Sequence, residues 1–80
     1  NRLSGMTFVI TGDVAHFANR RELQDLIEAL GGKVSGSVSK KTSYLINNDA
    51  ASSSSKNRKA RELSVPVITE EEFLELIGKD

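Results

Sequence analysis

Short apolar runs alternate along the chain with segments whose apolar residues recur every three or four positions. The first run fills residues 8–10 within the stretch TFVITG at residues 7–12. Three consecutive apolar side chains predict a strand buried on both faces, which needs neighbouring strands on each side and helices above and below. The pattern therefore predicts an α/β sandwich, with Thr11 and Gly12 at the carboxyl edge of the sheet, where parallel α/β proteins bind ligands.

Three segments have the features of amphipathic helices. The first follows Asn19, a predicted N-cap, and ends before Gly31 because a left-handed cap favours glycine. The second is predicted over residues 56–63 with Ser55 as its cap. The third follows a full capping box at residues 69–72, where Glu70 to Glu72 complement the helix dipole. The apolar faces predicted for the first and third helices are Leu23, Leu26, Ile27 and Leu30, and Phe73, Leu74, Leu76 and Ile77.

Three further strands are predicted at residues 33–35, 43–46 and 65–68. A helix connects the strand at residues 8–10 to the strand at residues 33–35, so a right-handed crossover should make these two strands parallel. Pro66 at the start of the last strand favours an edge position, because proline cannot donate to the ladder. The polar stretch at residues 47–55, with serines at 52 to 55, resembles a linker.

Composition narrows the class of protein. Eighty residues predict one domain, and the absence of cysteine removes disulfides and thiolate metal sites. No apolar run has the roughly 18 residues that span a membrane. The net charge is zero, but residues 1–61 hold ten Lys/Arg against five Asp/Glu, whereas residues 62–80 hold one against six. A basic surface backed by an acidic end keeps anion binding open.

Five fragments in register resemble the BRCT domain, in the branch found at the carboxyl end of bacterial NAD-dependent DNA ligases and in the replication factor C large subunit. They are residues 7–12, 27–34, 36–42, 55–60 and 71–74. The whole chain, residues 1–80, is interpreted as a single BRCT domain from a larger protein. The resemblance implies a three-layer α/β sandwich whose four-stranded parallel sheet has the order 2-1-3-4, with helices 1 and 3 on one face and helix 2 on the other. Phe73 stands where many BRCT domains have tryptophan, as it commonly does in the ligase-like branch.

The resemblance also implies a phosphate site. BRCT domains that bind phosphate use a hydroxyl residue and the next glycine amide after the first strand, with a lysine at the start of the second helix. These residues match Thr11, Gly12 and Lys56, and the arginine that contacts a DNA 5′-phosphate in the replication-factor branch matches Arg20. On spacing alone, the simpler interpretation is that Thr11 ends a strand, Gly12 forms a turn, and Lys56 and Arg20 are solvated cations. Further cations are candidates for DNA backbone contacts or for a solvated surface: Arg21, Lys40, Lys41, Arg58, Lys59 and Arg61.

Two classes of function are favoured, and a bare structural role is a third possibility because the net charge is zero. The first is a non-catalytic accessory module of a DNA ligase or related repair protein that recognises nicked or 5′-phosphorylated duplex DNA in the bacterial cytoplasm, at the nucleoid. The alternative is a protein-interaction module, either a phosphopeptide reader or a docking domain for other parts of its parent protein. Catalysis is not expected, because His16 has Asp13 nearby but no organised nucleophile. We expect no cofactor, metal, membrane or small-molecule substrate for this domain.

Overall fold

The computed structural model describes residues 2–12, 14–49 and 54–78. Four parallel strands form one sheet in the order β2-β1-β3-β4, as the BRCT resemblance implies. The doubly buried first strand lies in the interior, and the strand that follows Pro66 lies at an edge, both as predicted. The elements are β1 Thr7–Ile10, α1 Arg20–Ala29, β2 Lys33–Ser35, β3 Tyr44–Ile46, α2 Ser55–Glu62, β4 Val67–Ile68 and α3 Glu70–Leu76.

Successive residues of β1 point to opposite faces of the sheet and bury two separate cores. Phe8 packs in the larger core, which α1 and α3 cover, whereas Val9 packs in the smaller core, which Ala60 of α2 covers. Phe8 also contacts the ring of Phe73 edge to face, with 5.6 Å between the ring centroids. The predicted three-layer sandwich, with helices 1 and 3 on one face and helix 2 on the other, is confirmed.

The start and end of α1 follow the predicted signals. The Asn19 side chain accepts a hydrogen bond from the Glu22 N–H at 3.0 Å and so caps the helix. Gly31 adopts the left-handed conformation after the last turn, with φ of 93°. Gly32 permits close packing, because a Cβ atom there would lie 2.8 Å from Cγ2 of Ile27. The two glycines therefore end the helix and allow β2 to begin at once.

Helix α2 and strand β4 differ in detail from the prediction. Ser54, not Ser55, is the cap of α2 and accepts from the Asn57 N–H, so the helix begins one residue earlier than expected. The predicted strand at residues 65–68 is shorter, because the Val65 N–H donates to the Ala60 carbonyl at 2.7 Å and continues the helix end. Within the predicted linker, residues 50–53 lie outside the described part of the chain.

Helix α3 has the predicted capping box at Thr69 and Glu72. Two of its side chains are placed differently from the prediction. Leu76 is 42% exposed because it lies beyond the arc that faces the sheet, although periodicity placed it in the core. Glu70 is only 1% exposed, so it is a buried hydrogen-bonding group and not simply a solvated charge at the helix start. Among the described residues, no helix is long and apolar enough to cross a membrane.

Candidate functional site

A depression of about 370 Å³ lies at the carboxyl ends of β1 and β2, between the first turns of α1 and α2. Arg20 begins α1, Lys56 lies in the first turn of α2, and both side chains line this depression although 36 positions separate them in the sequence. Among the described residues, no carboxylate lines it. The lining residues are Ile10, Arg20, Gln24, Val34, Ser35, Gly36 and Lys56.

Gly12 contacts Arg20, one of the residues that line this depression. The Arg20 Nε atom donates to the Gly12 carbonyl oxygen at 3.1 Å. Gly12 has φ of 76°, a conformation that favours glycine, and its N–H has no acceptor among the described residues. The Thr11 N–H donates to the Ile46 carbonyl at 3.0 Å, so this amide belongs to the sheet and only the Thr11 hydroxyl remains for a ligand. Thr11 and Gly12 thus adjoin the depression without lining it.

A buried pair of amide side chains, Asn47 and Asn57, fixes the groups around Lys56. Asn47 Nδ2 donates to Asn57 Oδ1 at 2.9 Å, and the two residues are 5% and 0% exposed. Asn57 Nδ2 also donates to the Asp49 carbonyl at 3.3 Å, while the Asp49 N–H donates to Asn47 Oδ1 at 2.9 Å. A Cβ atom on Gly12 would lie 2.9 Å from Asn47 Oδ1. The pair therefore connects the end of β3, the start of α2 and the turn after β1.

The sequence interpretation missed this pair. Asn47 fell in the stretch that resembles a linker, and Asn57 was not assigned a role. One signal was available, because Asn57 precedes Ala60 by three residues and the two therefore share the buried face of α2. An asparagine on the buried face of a helix needs a hydrogen-bond partner, since leaving it unpaired is costly.

Asn47 and Asn57 should be energetically coupled. We expect Asn47→Val and Asn57→Leu each to lower the free energy of unfolding by about 1–3 kcal/mol, because each takes the hydrogen bond between the two side chains from a buried atom of the other, Asn57 Oδ1 or Asn47 Nδ2. The double variant should lose clearly less than the sum of the two, because it replaces both partners with apolar groups of similar size. Urea unfolding of the four proteins measures the coupling, and additive losses would show that the amides act independently.

Glu70 holds the loop that leads into α1. Its carboxylate accepts hydrogen bonds from the Ala15 and His16 N–H groups, both at 2.7 Å, and from the Asn48 side-chain amide. Burial, the largest single influence, acts to raise the pKa of this carboxyl, but the three hydrogen bonds and the nearby His16 together lower it below its ordinary value. The charged form is therefore favoured in the folded protein.

The Glu70 contacts predict an acid-sensitive fold. A carboxyl whose pKa is lowered by folding stabilises the protein above its unfolded pKa, about 4.5, and this stabilisation is lost as the pH falls through the folded pKa. Glu70→Gln should remove this part of the pH dependence and cost about 1–3 kcal/mol at pH 7, since it takes a charged acceptor from two amides. The control is Glu71→Gln, an exposed neighbour that should change stability by less than about 0.5 kcal/mol. Parallel pH profiles for wild type and Glu70→Gln would contradict the assignment.

The other predicted cations surround the depression unequally. Lys59 follows Lys56 by three residues and shares its side of α2, whereas Arg58 does not. Arg21 is directed to Asp25, with 3.5 Å between Nε and Oδ1. Lys40 and Lys41 precede β3, and so belong to the amino-terminal side of the sheet rather than to its carboxyl edge. Lys59 does not line the depression, but it lies on the side of α2 that carries Lys56.

His16 is part of the loop contact. Its Nδ1 atom lies 3.5 Å from Glu70 Oε1, and its Nε2 atom lies 3.8 Å from Glu71 Oε1. Asp13, the neighbour suggested by the sequence, lies outside the described residues. No group of three or more potential metal ligands occurs in the described part of the chain.

A second concave surface, which we call the α3 groove, lies between α3 and the strands β3 and β4. Its volume is about 390 Å³, and it shares no lining residue with the depression that holds Arg20 and Lys56. The floor is apolar and the rim is acidic. Its lining residues are Tyr44, Ile68, Glu72, Glu75 and Leu76.

The sheet order and the helix placement define a small three-layer α/β domain with parallel strands and a cationic depression at their carboxyl edge. The chain belongs to the BRCT family, because the model of the BRCA1 C Terminus (BRCT) domain matches residues 1–77. It is similar to the DNA ligase of Lachnoclostridium phytofermentans, with 67% identity over 78 residues, which cover 98% of this chain. It is also similar to the DNA ligases of Ruminiclostridium cellulolyticum, 61% identical over 91% of this chain, and Carboxydothermus hydrogenoformans, 52% identical over 96%. The matched part is only 11–12% of each of these ligases.

Proposed function

We propose that this domain is a non-catalytic module of a bacterial DNA ligase that holds nicked or 5′-phosphorylated duplex DNA, with Thr11, Gly12, Arg20 and Lys56 as its phosphate site. One observation carries the proposal: Arg20 and Lys56 converge on one depression, and none of the described residues that line it is a carboxylate. Two cations facing a shared space repel each other, and an anion between them removes that cost. The DNA ligase relatives supply the partner, because a ligase acts on DNA ends.

Each group has a distinct part in holding a phosphate. The Arg20 guanidinium offers two parallel N–H donors to two phosphate oxygens, whereas the Lys56 ammonium supplies a point charge. The Gly12 N–H, which has no acceptor among the described residues, supplies a neutral donor at the turn. Lys56 also lies at the amino terminus of α2, where the helix dipole favours anions. The Thr11 hydroxyl completes the set from the neighbouring position.

Contacts to the rest of the DNA would be independent of its base sequence. Lys59 would contact backbone phosphates, and Arg21, Arg58, Lys40 and Lys41 would be more distant contacts. Such contacts weaken as salt rises. The domain needs no cofactor for this role, and adenylation and sealing belong to other parts of a ligase. The proposed setting is the bacterial cytoplasm, at the nucleoid.

The test compares two duplexes of identical sequence, one with and one without a 5′-phosphate, at several salt concentrations. We expect the phosphorylated duplex to bind about 10- to 100-fold more tightly, the range that one or two charge-assisted hydrogen bonds supply. Affinity for both duplexes should fall with salt. Equal binding of the two duplexes would remove the phosphate site. A phosphoserine peptide that displaces the phosphorylated duplex at lower concentration than the free phosphorylated strand would favour the phosphopeptide reader.

The α3 groove supports a second candidate function, intramolecular docking. Leu76, 42% exposed, is the one large hydrophobic residue exposed in the described chain, and Glu72 and Glu75 lie beside it without ion pairs to described residues. This combination suits a segment of another ligase domain that carries lysine or arginine beside an aliphatic side chain. The aliphatic carbons would pack on the apolar floor of the groove, and the positive charge would lie beside Glu72 and Glu75. Leu76→Asp should release such a segment in the full-length ligase, seen as increased proteolytic cleavage between domains, and should leave binding to the phosphorylated duplex unchanged. Unaltered cleavage would remove the docking role.

A further inference from the structure

The depression that Arg20 and Lys56 share is too large for a phosphate alone. Its volume is about 370 Å³, and its lining extends from the two cations to Gln24, Val34 and Ser35, so a phosphate held by the cations leaves part of it unfilled. The remainder must be filled by solvent or by whatever is attached to the phosphate.

The residues that line the remaining space differ in chemistry from the two cations. Ile10 and Val34 supply apolar carbon surface at the ends of β1 and β2. Gln24, one turn after Arg20 on α1, supplies a neutral amide, and its Nε2 atom donates to Glu28 Oε2 at 3.2 Å, which leaves its carbonyl oxygen and a second N–H for a ligand. Ser35 adds a hydroxyl that donates to the Ser37 carbonyl at 3.3 Å and accepts from the Ser37 N–H at 3.5 Å, which leaves one lone pair for a ligand. The surroundings are therefore part apolar and part neutral hydrogen-bonding, and the described residues that line them include no aromatic ring and no acid.

We infer that this part of the depression, lined by Gln24, Val34 and Ser35, is a subsite for the deoxyribose of the nucleotide that carries the 5′-phosphate. A deoxyribose ring presents C–H groups that pack on apolar carbon, and ether and hydroxyl oxygens that accept or donate hydrogen bonds. Base recognition is not expected, because a base stacks on a flat aromatic ring or guanidinium group. The one guanidinium group among the described lining residues, that of Arg20, is already used by the phosphate. The inference rests on the proposed phosphate site and adds that the ligand is a sugar phosphate of any base.

The subsite also predicts which phosphate-bearing partner binds more tightly, a nucleotide or a phosphoserine. A phosphoserine places a short flexible chain and a charged or peptide-bonded backbone beside the phosphate, whereas a nucleotide places a compact ring there. Gln24 and Ser35 are neutral, so neither attracts the charged backbone groups of the amino acid. The depression should therefore prefer a sugar phosphate to an amino-acid phosphate of similar size.

The experiment titrates four small probes into the isotopically labelled domain at pH 8 and follows amide shifts. The probes are inorganic phosphate, 1,2-dideoxyribose 5-phosphate, thymidine 5′-monophosphate and O-phosphoserine. We expect the sugar phosphate to bind about five- to tenfold more tightly than inorganic phosphate, the factor that one neutral hydrogen bond supplies, and thymidine 5′-monophosphate to add little more. Phosphoserine should bind no more tightly than inorganic phosphate.

Gln24→Met tests the residue directly, because methionine keeps the length and helix propensity of glutamine without its amide. It should remove most of the gain from the sugar and leave the affinity for inorganic phosphate unchanged. Equal binding of inorganic phosphate, sugar phosphate and phosphoserine would overturn the subsite and leave the phosphate site standing. No shift at Gly12 or Lys56 with any probe would overturn the subsite together with the phosphate site.

Discussion

Lys56→Ala is expected to weaken binding of 5′-phosphorylated duplex DNA by about 10- to 100-fold while leaving the fold intact. The lysine is lost from a depression in which Arg20 is the one other cation among the described lining residues, and a hydrogen bond to a charged group contributes about 1.5–3 kcal/mol. Lys56 makes no ion pair with any described residue, so its removal should change the free energy of unfolding by less than about 0.5 kcal/mol. Fluorescence anisotropy with the two duplexes, and urea unfolding of the variant, measure both effects.

Lys33→Ala is the matched control for charge. Lys33 is an exposed lysine at the start of β2, so it lies away from the carboxyl edge of the sheet. Its removal takes one positive charge from the domain but none from the depression. We expect a small, equal decrease in affinity for both duplexes. If Lys56→Ala and Lys33→Ala behave alike, general electrostatic attraction explains the binding and no phosphate site is needed.

Phe73→Ala should be the most destabilising of the substitutions considered, with a loss of about 3–5 kcal/mol in the free energy of unfolding. Phe73 is fully buried and contacts the Phe8 ring edge to face, so its loss opens a cavity in the larger core and removes this ring contact between α3 and β1. Small domains are stable by only about 5–15 kcal/mol, and this one has two modest cores, so the variant should be near its unfolding midpoint at moderate urea concentrations.

Leu76→Ala is the control on the same helix. Leu76 is 42% exposed, so its truncation should cost less than about 1 kcal/mol. Urea unfolding followed by circular dichroism compares the two variants with the wild type. Similar losses at positions 73 and 76 would mean that α3 does not pack on the sheet through Phe73 as described here.

Strands and helices could be predicted from the sequence where residues close together in the chain determine them. The doubly buried run of β1 needs only three consecutive apolar residues, and the Thr69 capping box needs only the residues that form it. The sheet order, by contrast, came from the family resemblance, because periodicity cannot say which strands are neighbours. Strand β4 was overestimated because Val65 is apolar whether it extends a strand or closes a helix, and its hydrogen bond to Ala60 decides between the two.

The site was predicted in part, for a physical reason. Arg20 and Lys56 could be matched to the family pattern, and the fold brings them to one depression. The Asn47 and Asn57 pair and the Glu70 contact to the α1 loop were missed because they are tertiary contacts between polar residues. A buried asparagine or glutamate looks like a surface residue in a sequence until its partner is placed beside it. The depression's neutral side, at Gln24 and Ser35, was hidden for the same reason.

The central claim is that the carboxyl edge of the sheet holds a 5′-phosphate. The most direct measurement is a backbone amide shift map of the labelled domain with the phosphorylated duplex and with its unphosphorylated counterpart. We predict that the phosphorylated duplex moves the Gly12 amide most, together with the first turns of α1 and α2, and that these changes are much smaller without the phosphate. Changes that are the same for both duplexes, or that centre on the α3 groove at Tyr44 and Leu76, would contradict the claim.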